Sequence, residues 1–188
     1  MNKRLLAALT ILFTSFCFAQ QHNSEIFWNN LTKLCGKSFE GQITQGGKEG
    51  DGFTGEKLVM HVMTCQENEI KIPFHVGNNH SRTWIITKNK QHILTLKHDH
   101  RHEDGSEDKI TQYGGTSPNY GNSDLQYFPA DIFTQKLISY AFSNVWWITL
   151  NTESFSYNLA KIGSNRVFSV TFDLKKEVNT PEKPWGHK

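Results

Sequence analysis

The sequence lacks the short motifs that mark many enzymes and zinc-binding proteins. It contains no GxSxG nucleophile elbow, no HExxH pair and no CxxC pair. Neither a serine nucleophile nor a structural zinc site is therefore indicated. Catalysis would have to use a histidine as general base, as a hydrolase or an isomerase can. We expect a protein that is not an enzyme, with a histidine-dependent enzyme at His98 or His100 as the alternative.

Long apolar runs are also missing, apart from one near the N-terminus. Lys3 and Arg4 precede an apolar stretch at residues 5–18, and Ala19 offers a small residue for cleavage. The stretch is short for a membrane span and has the layout of a secretory signal peptide. The sequence predicts a signal peptide at residues 1–19, export through the Sec route to the periplasm or the extracellular space, and no transmembrane span in the mature chain.

The net charge of the chain is small. It has 20 basic and 18 acidic residues, and cleavage of the signal peptide would remove Lys3 and Arg4. The mature chain is thus close to neutral, which gives no electrostatic reason to expect nucleic acid or an anionic membrane as a partner. Residues 20–188 have the length of one ordinary domain with its own core.

Cysteine is scarce, with 3 in the whole chain. Cys17 falls in the predicted signal peptide, which leaves Cys35 and Cys65 in the mature chain. An even number of cysteines in an oxidising compartment favours a disulfide, which would stabilise the fold by about 3–4 kcal/mol. The alternative is two buried free thiols.

Apolar and polar residues alternate over most of the chain. This alternation is the pattern expected of β-strands. About nine short strands are indicated, and no βαβ rhythm connects them. This pattern predicts an all-β, mostly antiparallel fold. We expect a barrel of roughly 8–10 strands, whose interior is either filled by side chains or holds one small ligand.

Two helices are expected beside the strands. The first lies within residues 20–36 and spans residues 25–34, with Ser24 as its N-cap. The second begins at Pro129, before the last strands, and presents an apolar stripe that includes Phe133, Leu137 and Tyr140. Residues 177–188 are expected to form an extended tail.

The stretch from Leu94 to Gly115 contains the chain's densest group of polar and charged side chains. Side chains on a strand alternate, so one face carries Leu94, Leu96, His98 and His100. The leucines mark the core face, which directs the two histidines inward. Asp99 and Arg101 lie on the other face and are expected to meet water.

A tight turn at Asp104-Gly105 returns this strand as a hairpin. With an even loop, Arg101 would face Asp108 on the outer side. The histidine face would then meet Lys109, Thr111 and Tyr113. An odd loop would exchange these partners.

The inner face of the histidine strand and its neighbours provides the predicted ligand site. Its candidate residues are His98, His100, Tyr113, Thr111, Arg82 and Trp84. An inward arginine needs an anionic partner to offset its desolvation, and that partner is either a ligand or a carboxylate of the protein. Aromatic side chains supply the apolar lining that small-molecule sites use.

We expect no cofactor, and two alternatives are kept. His98, His100 and His102 could bind a transition metal, because alternate strand positions bring imidazoles to one side. His75 lies opposite the apolar face of its strand and is expected to be exposed, and haem ligation through it is the second alternative.

Five segments together resemble a family of uncharacterised secreted bacterial proteins. They are HVGNNHSRTWIIT (75–87), LKHDHRHEDGSEDKITQYGG (96–115), QYFPADIFT (126–134), FSVTFDL (168–174) and PWG (184–186). The resemblance implies a family for most of the mature chain and brings no assigned activity. The strand spacing also looks like that of calycin barrels, which include lipocalins, fatty-acid-binding proteins and haem-binding nitrobindins. Residues 34–39 lack the tryptophan of the lipocalin Gly-x-Trp start, and Phe39 is the candidate for its place.

The function predicted from the sequence is binding of a small organic molecule by an exported β-barrel. A metal- or histidine-dependent enzyme is the first alternative. A structural or protein-interaction component of the cell envelope is the second. A cavity near His98 and His100 would favour binding, whereas a filled barrel with an apolar patch on its outside would favour the envelope component.

Overall fold

The computed structural model describes residues 21–187, which fold into a mostly antiparallel β structure. The predicted signal peptide at residues 1–19 lies outside the described residues. Two α-helices, α1 (Asn23–Thr32) and α2 (Ile132–Leu137), and a 3-10 turn at Ser139–Ala141 accompany the strands. The strands are β1 (Ser38–Gln45), β2 (Leu58–His61), β3 (Thr64–Cys65), β4 (Glu69–Val76), β5 (Asn79–Lys88), β6 (Leu94–His100), β7 (Tyr113–Thr116), β8 (Leu125–Pro129), β9 (Asn144–Leu150), β10 (Ser154–Lys161) and β11 (Val167–Glu177).

The strands form a nearly closed barrel of 10 strands, which confirms the predicted antiparallel barrel. Their order is β7-β6-β5-β4-β2-β1-β11-β10-β9-β8, and the short β3 pairs with β4 beside β2. The two ends of this order meet where Gly115 bridges to Ala130. A Cβ atom on Gly115 would lie 1.8 Å from the carbonyl oxygen of Pro129. Closure at this point therefore requires glycine.

Helix α1 closes one end of the barrel. Phe27, Trp28 and Leu31 are buried and belong to the same core as the strands. Cys35, which follows α1, is bonded to Cys65 of β3 with the two Cα atoms 6.1 Å apart, so the predicted disulfide is confirmed. Apolar burial and a covalent link thus hold the helix on the barrel.

The start of α1 differs from the prediction. The N-cap is His22, whose side chain makes no capping hydrogen bond, and the predicted cap Ser24 lies inside the first turn. Ser24 is fully buried, and its hydroxyl donates to the carbonyl of His92 at 2.6 Å. A buried hydroxyl needs an acceptor, and here the loop before β6 supplies it. The tertiary contact therefore decides the role of this serine.

Stacked aromatic rings fill the barrel interior. The ring of Trp84 lies 4.3 Å from that of Tyr157 and 4.7 Å from that of Phe74, measured between centroids. Phe155 and Phe172 pack edge to face against each other and have no exposed surface. Close packing of this kind leaves the centre of the barrel occupied by protein.

The second helix also differs from the prediction. Pro129 is the last residue of β8, and α2 starts at Ile132 with Asp131 as its N-cap. The Asp131 carboxylate accepts a hydrogen bond from the Thr134 amide at 2.8 Å. The apolar residues of this segment are largely exposed, including 47 % of Phe133 and 66 % of Tyr140. The predicted stripe therefore does not cover the sheet.

The chain after β11 has no regular strand or helix up to Trp185 and crosses the outer face of the barrel. The Trp185 amide donates to the carbonyl of His80 at 3.0 Å. Two residues later, the Nε2 atom of His187 lies 2.7 Å from the Asp99 carboxylate. The C-terminal segment is thus fastened across β5 and β6.

Antiparallel connectivity places one set of loops at the end opposite α1, and we call this end the mouth. It comprises residues 46–57, 77–78, 101–112, 130–143 and 162–166. The N-terminal half of β5, the C-terminal end of β6 and the start of β7 reach the mouth. Arg82, His100 and Tyr113 therefore all lie toward it.

Candidate functional site

Three strands bring the polar residues of the mouth together. Arg82 of β5 pairs with His100 of β6, and Trp84 pairs with His98. His98 also pairs with Tyr113 of β7. Directly paired residues on adjacent strands point to the same face, so these side chains share the barrel interior. Five of the six predicted ligand-site residues are brought together in this way.

His98 is the innermost member and both of its ring nitrogens are engaged. Nδ1 lies 3.0 Å from the carbonyl oxygen of Tyr113 and Nε2 lies 2.6 Å from the hydroxyl of Tyr157. Burial lowers the pKa of His98 to about 3, so the ring is neutral and carries one N–H. A carbonyl only accepts, which places that proton on Nδ1 and makes Nε2 the acceptor of the Tyr157 hydroxyl. His98 therefore has no lone pair left for a metal or a substrate proton.

His100 and Tyr113 form the next layer toward the mouth. The Tyr113 hydroxyl lies 3.1 Å from Nε2 of His100. Burial, assisted by the charge of Arg82, lowers the pKa of His100 to about 4. Burial also raises the pKa of Tyr113 to about 12. Both groups are therefore uncharged near neutral pH and can donate or accept hydrogen bonds.

Arg82 is the charged member of the group. Its Nη1 atom is buried and has no hydrogen-bond partner among residues 21–187. Among residues 21–187, no carboxylate lies within ion-pair distance of its guanidinium. Burial lowers the pKa of Arg82, but arginine remains protonated in proteins. The mouth therefore contains a half-buried cation without an anionic partner.

The loop at residues 46–57 covers Arg82 with an aromatic ring. The guanidinium carbon of Arg82 lies 5.1 Å from the centroid of Phe53, a cation–π distance. Phe53 also packs on Phe74 and Phe168, at 6.1 Å and 5.2 Å between ring centroids. On its other side, Phe53 lines a cleft of about 520 Å³ between β1 and this loop. One ring thus contacts both Arg82 and the cleft.

Asp51 holds the conformation of this loop. Its carboxylate accepts hydrogen bonds from the amides of Lys48, Phe53 and Thr54 at 2.8–2.9 Å. Hydrogen bonds from these backbone amides lower the pKa of Asp51 well below its ordinary value. Phe53 is therefore placed over Arg82 by a local turn and by its packing contacts.

The hairpin after β6 does not have the predicted register. Arg101 bridges to Glu107 and makes an ion pair with it at 3.0 Å, where Asp108 had been expected. β7 starts only at Tyr113, because residues 108–112 leave the sheet and Gln112 takes a left-handed φ of 59°. An irregular segment inside a hairpin shifts the register, and alternation alone does not predict it.

Thr111 does not join the interior group. Its hydroxyl accepts a hydrogen bond from the His100 amide at 2.8 Å and lies 3.4 Å from the Asp99 carboxylate. Asp99 belongs to the outer face of β6. Thr111 therefore supports the strand from outside the site, and its predicted place beside the imidazoles is wrong.

Asp99 was expected to face water but is fully buried. It accepts hydrogen bonds from Arg101 Nε, from Gln112 Nε2 and from His187, at 3.0, 2.7 and 2.7 Å. Burial alone would raise the pKa of Asp99, but the bonds from His187 and Arg101 outweigh it and lower the pKa to about 2. Its cover comes from the distant C-terminal segment, which strand alternation cannot indicate.

His75 is also buried, with 3 % of its surface exposed, and the predicted exposure is wrong. Neither of its ring nitrogens has a hydrogen-bond partner within the described residues 21–187. Burial, with smaller contributions from His80 and His61, lowers the pKa of His75 to about 4. The C-terminal segment covers this part of the outer face and leaves a cleft of about 450 Å³, lined by His75, His80 and Trp185 among others.

The histidines proposed as metal ligands are not assembled into one site. His102 is exposed in the hairpin loop, while His98 uses both nitrogens inside the barrel. Within residues 21–187, no group of three His, Cys, Asp or Glu side chains is arranged to hold a metal ion. Neither of the two clefts described above is lined by His98 or His100, and stacked aromatic rings fill the interior beside them. These clefts therefore do not provide the cavity at the two histidines on which the predicted ligand site inside the barrel depended.

Comparisons with known proteins add no identification. No protein-family model, curated protein or solved structure matches the chain. Along residues 21–187, no helix has the length and apolar character needed to cross a membrane. Function is therefore inferred from the geometry of the mouth.

Proposed function

We propose that this exported protein binds a small amphipathic molecule at the mouth of its barrel, with the acidic group of the ligand on Arg82. The observation that carries the proposal is the buried Nη1 atom of Arg82, which has no acceptor in the part of the chain that the structure describes. The proposed site lies nearer the mouth of the barrel than the site predicted from the sequence. It is centred on Arg82 and His100 near the mouth, because protein groups already satisfy His98.

An anion at Arg82 would relieve an unfavourable state of the free protein. A buried donor without a partner costs about 1–3 kcal/mol, and more when it is charged. A carboxylate offers two acceptor oxygens that match the fork of a guanidinium. His100 and Tyr113 are uncharged, so they can add hydrogen bonds without introducing a competing charge.

The apolar part of the ligand would occupy the neighbouring aromatic region. Phe53, Phe74 and Phe168 pack together there, next to the cleft of about 520 Å³. This volume is in the range of small-molecule sites. Entry to Arg82 requires Phe53 to move. Gly50 and Gly52, on either side of Asp51 in the same loop, adopt φ angles of 77° and 79°, which glycine accepts without steric strain.

The first experiment is calorimetric titration of the protein with decanoate and with decanol, which share a chain and differ in charge. We expect decanoate to bind and Arg82→Gln to weaken it by about tenfold or more, since one charge-assisted bidentate contact is lost. The weaker binding of decanol should not change. Arg82→Gln removes an unpartnered cation, so the variant is expected to fold.

Arg166 provides the matched control, because it is exposed and makes no ion pair among residues 21–187. Arg166→Gln should bind decanoate as the unaltered protein does. Equal loss in both arginine variants would indicate a general charge effect. Undiminished decanoate binding by Arg82→Gln would overturn the proposed site.

A further inference from the structure

A group of exposed apolar side chains lies on the loops beside the mouth. Its members, with their exposed fractions, are Ile132 (65 %), Phe133 (47 %), Tyr140 (66 %), Phe142 (61 %) and Ile162 (63 %). Large apolar residues exposed singly are common, but a contiguous set marks an interaction surface. We call this set the apolar rim.

Two chain segments contribute to the rim and meet at one part of it. α2 carries Ile132 and Phe133, the 3-10 turn carries Tyr140, and Phe142 directly follows that turn. The amide of Ile162, at the tip of the β10–β11 hairpin, donates to the carbonyl of Ser143 at 2.9 Å. Lys161, at the end of β10, pairs with Asn144 at the start of β9. The tip of this hairpin therefore lies beside Phe142.

Positive charge prevails around the rim, where the carboxylate of Asp131, directly before Ile132, is paired with Lys97. Residues 132–144 and 161–166 contain Lys136, Lys161 and Arg166 and no acidic residue. None of these three cations forms an ion pair with another residue of the range 21–187. The mature chain is close to neutral overall, but it has a local excess of positive charge around the rim.

We propose that the apolar rim docks on the surface of an anionic lipid bilayer. Apolar side chains flanked by cations can insert at the boundary between headgroups and acyl chains. The cations then form ion pairs with the lipid phosphates. A second copy of the chain fits less well. A two-fold contact through this face would set the three cations of one copy against the same three of the other.

The rim borders the mouth. Tyr140 lies in the connection between β8 and β9, which is one of the loops of the mouth. Docking would turn the opening above Arg82 toward the lipid. The proposal does not depend on ligand binding at Arg82, since it rests on residues outside that site.

Vesicle sedimentation tests the proposal on the purified full chain. Vesicles of phosphatidylcholine alone are compared with vesicles of equal parts phosphatidylcholine and phosphatidylglycerol. We expect binding to the anionic vesicles and a loss of about tenfold or more in the double variant Phe142→Ser, Ile162→Ser. Replacing Lys136, Lys161 and Arg166 by Gln should remove the preference for phosphatidylglycerol.

Tyr120→Ser is the matched control, because Tyr120 is an exposed aromatic residue in the loop between β7 and β8, at the opposite end of the barrel. It should sediment as the unaltered protein does, and Arg82→Gln should do the same even if that variant has lost decanoate. Lack of sedimentation with phosphatidylglycerol vesicles would overturn the docking proposal. So would a dimer, detected by light scattering, that the Phe142→Ser, Ile162→Ser variant abolishes, because the rim would then bind a second copy.

Discussion

At the scale of single residues, the barrel is distinguished by imidazoles that it keeps uncharged. Burial lowers the pKa of His75 and His100 to about 4 and that of His98 to about 3. In the unfolded chain each imidazole takes up its proton near pH 6.5. The unfolded state therefore binds more protons between pH 6.5 and pH 4, and stability falls as the pH is lowered through that window.

His75 gives the sharpest test of this dependence, because its nitrogens have no partners. His75→Phe keeps an aromatic ring and removes two unsatisfied polar atoms, so we expect a gain of about 1 kcal/mol at neutral pH. The gain should increase by roughly 1.4 kcal/mol at pH 5.5, where only the unfolded histidine is protonated. Urea denaturation at several pH values measures both quantities.

The exposed His102 serves as the control for His75. His102→Phe should leave the stability and its pH dependence nearly unchanged. A loss of stability in His75→Phe at neutral pH, together with an unchanged pH slope, would show that His75 has a partner or a charge that this account does not assign to it.

The inward direction of His98, His100 and Arg82 could be predicted from the sequence, because a strand has a strict period of two. Their different roles could not. Whether an inward imidazole is satisfied depends on Tyr157, which is distant in sequence and adjacent only across the barrel interior. Likewise, the missing carboxylate near Arg82 is a property of the assembled barrel.

At the scale of elements, the C-terminal segment decides which outer residues are buried. It covers His75 and fastens to Asp99 through His187. Sequence alternation correctly placed both residues on the outer face, and outer faces usually meet water. An irregular segment carries no period, so its path across β5 and β6 could not be predicted. The same limit applies to the hairpin after β6.

The fastening of the segment is tested by His187→Ala. Arg101 and Gln112 still bind Asp99 in this variant, so the fold should persist with a loss of about 1–2 kcal/mol. Amide hydrogen exchange near the end of the segment should become faster, because the bond to Asp99 is lost while the amides of Val178 and Trp185 keep their bonds to Ser38 and His80. Lys183→Ala, an exposed change in the same segment, is the control. Unchanged exchange in His187→Ala would mean that the bond to Asp99 does not hold the segment.

At the scale of the whole molecule, the two ends of the barrel differ in character. One end is sealed by α1 and by the disulfide between Cys35 and Cys65. The other end combines the unpartnered Arg82, the glycine-containing loop with Phe53, and the apolar rim. The antiparallel barrel and its disulfide follow from strand periodicity and the cysteine count. The difference between the two ends depends on the order of the strands in the barrel. The sequence did not indicate this order.

The central claim, an acidic ligand group held by Arg82, is tested most directly by carbon-13 NMR of decanoate labelled at its carboxyl carbon. We predict a bound resonance, distinct from that of free decanoate, whose carboxylate stays ionised to a lower pH than the free acid because a cation faces it. This resonance should disappear in Arg82→Gln and persist in Arg166→Gln. A bound resonance that survives in Arg82→Gln with the same pH dependence, or no bound resonance in the unaltered protein, would contradict the account.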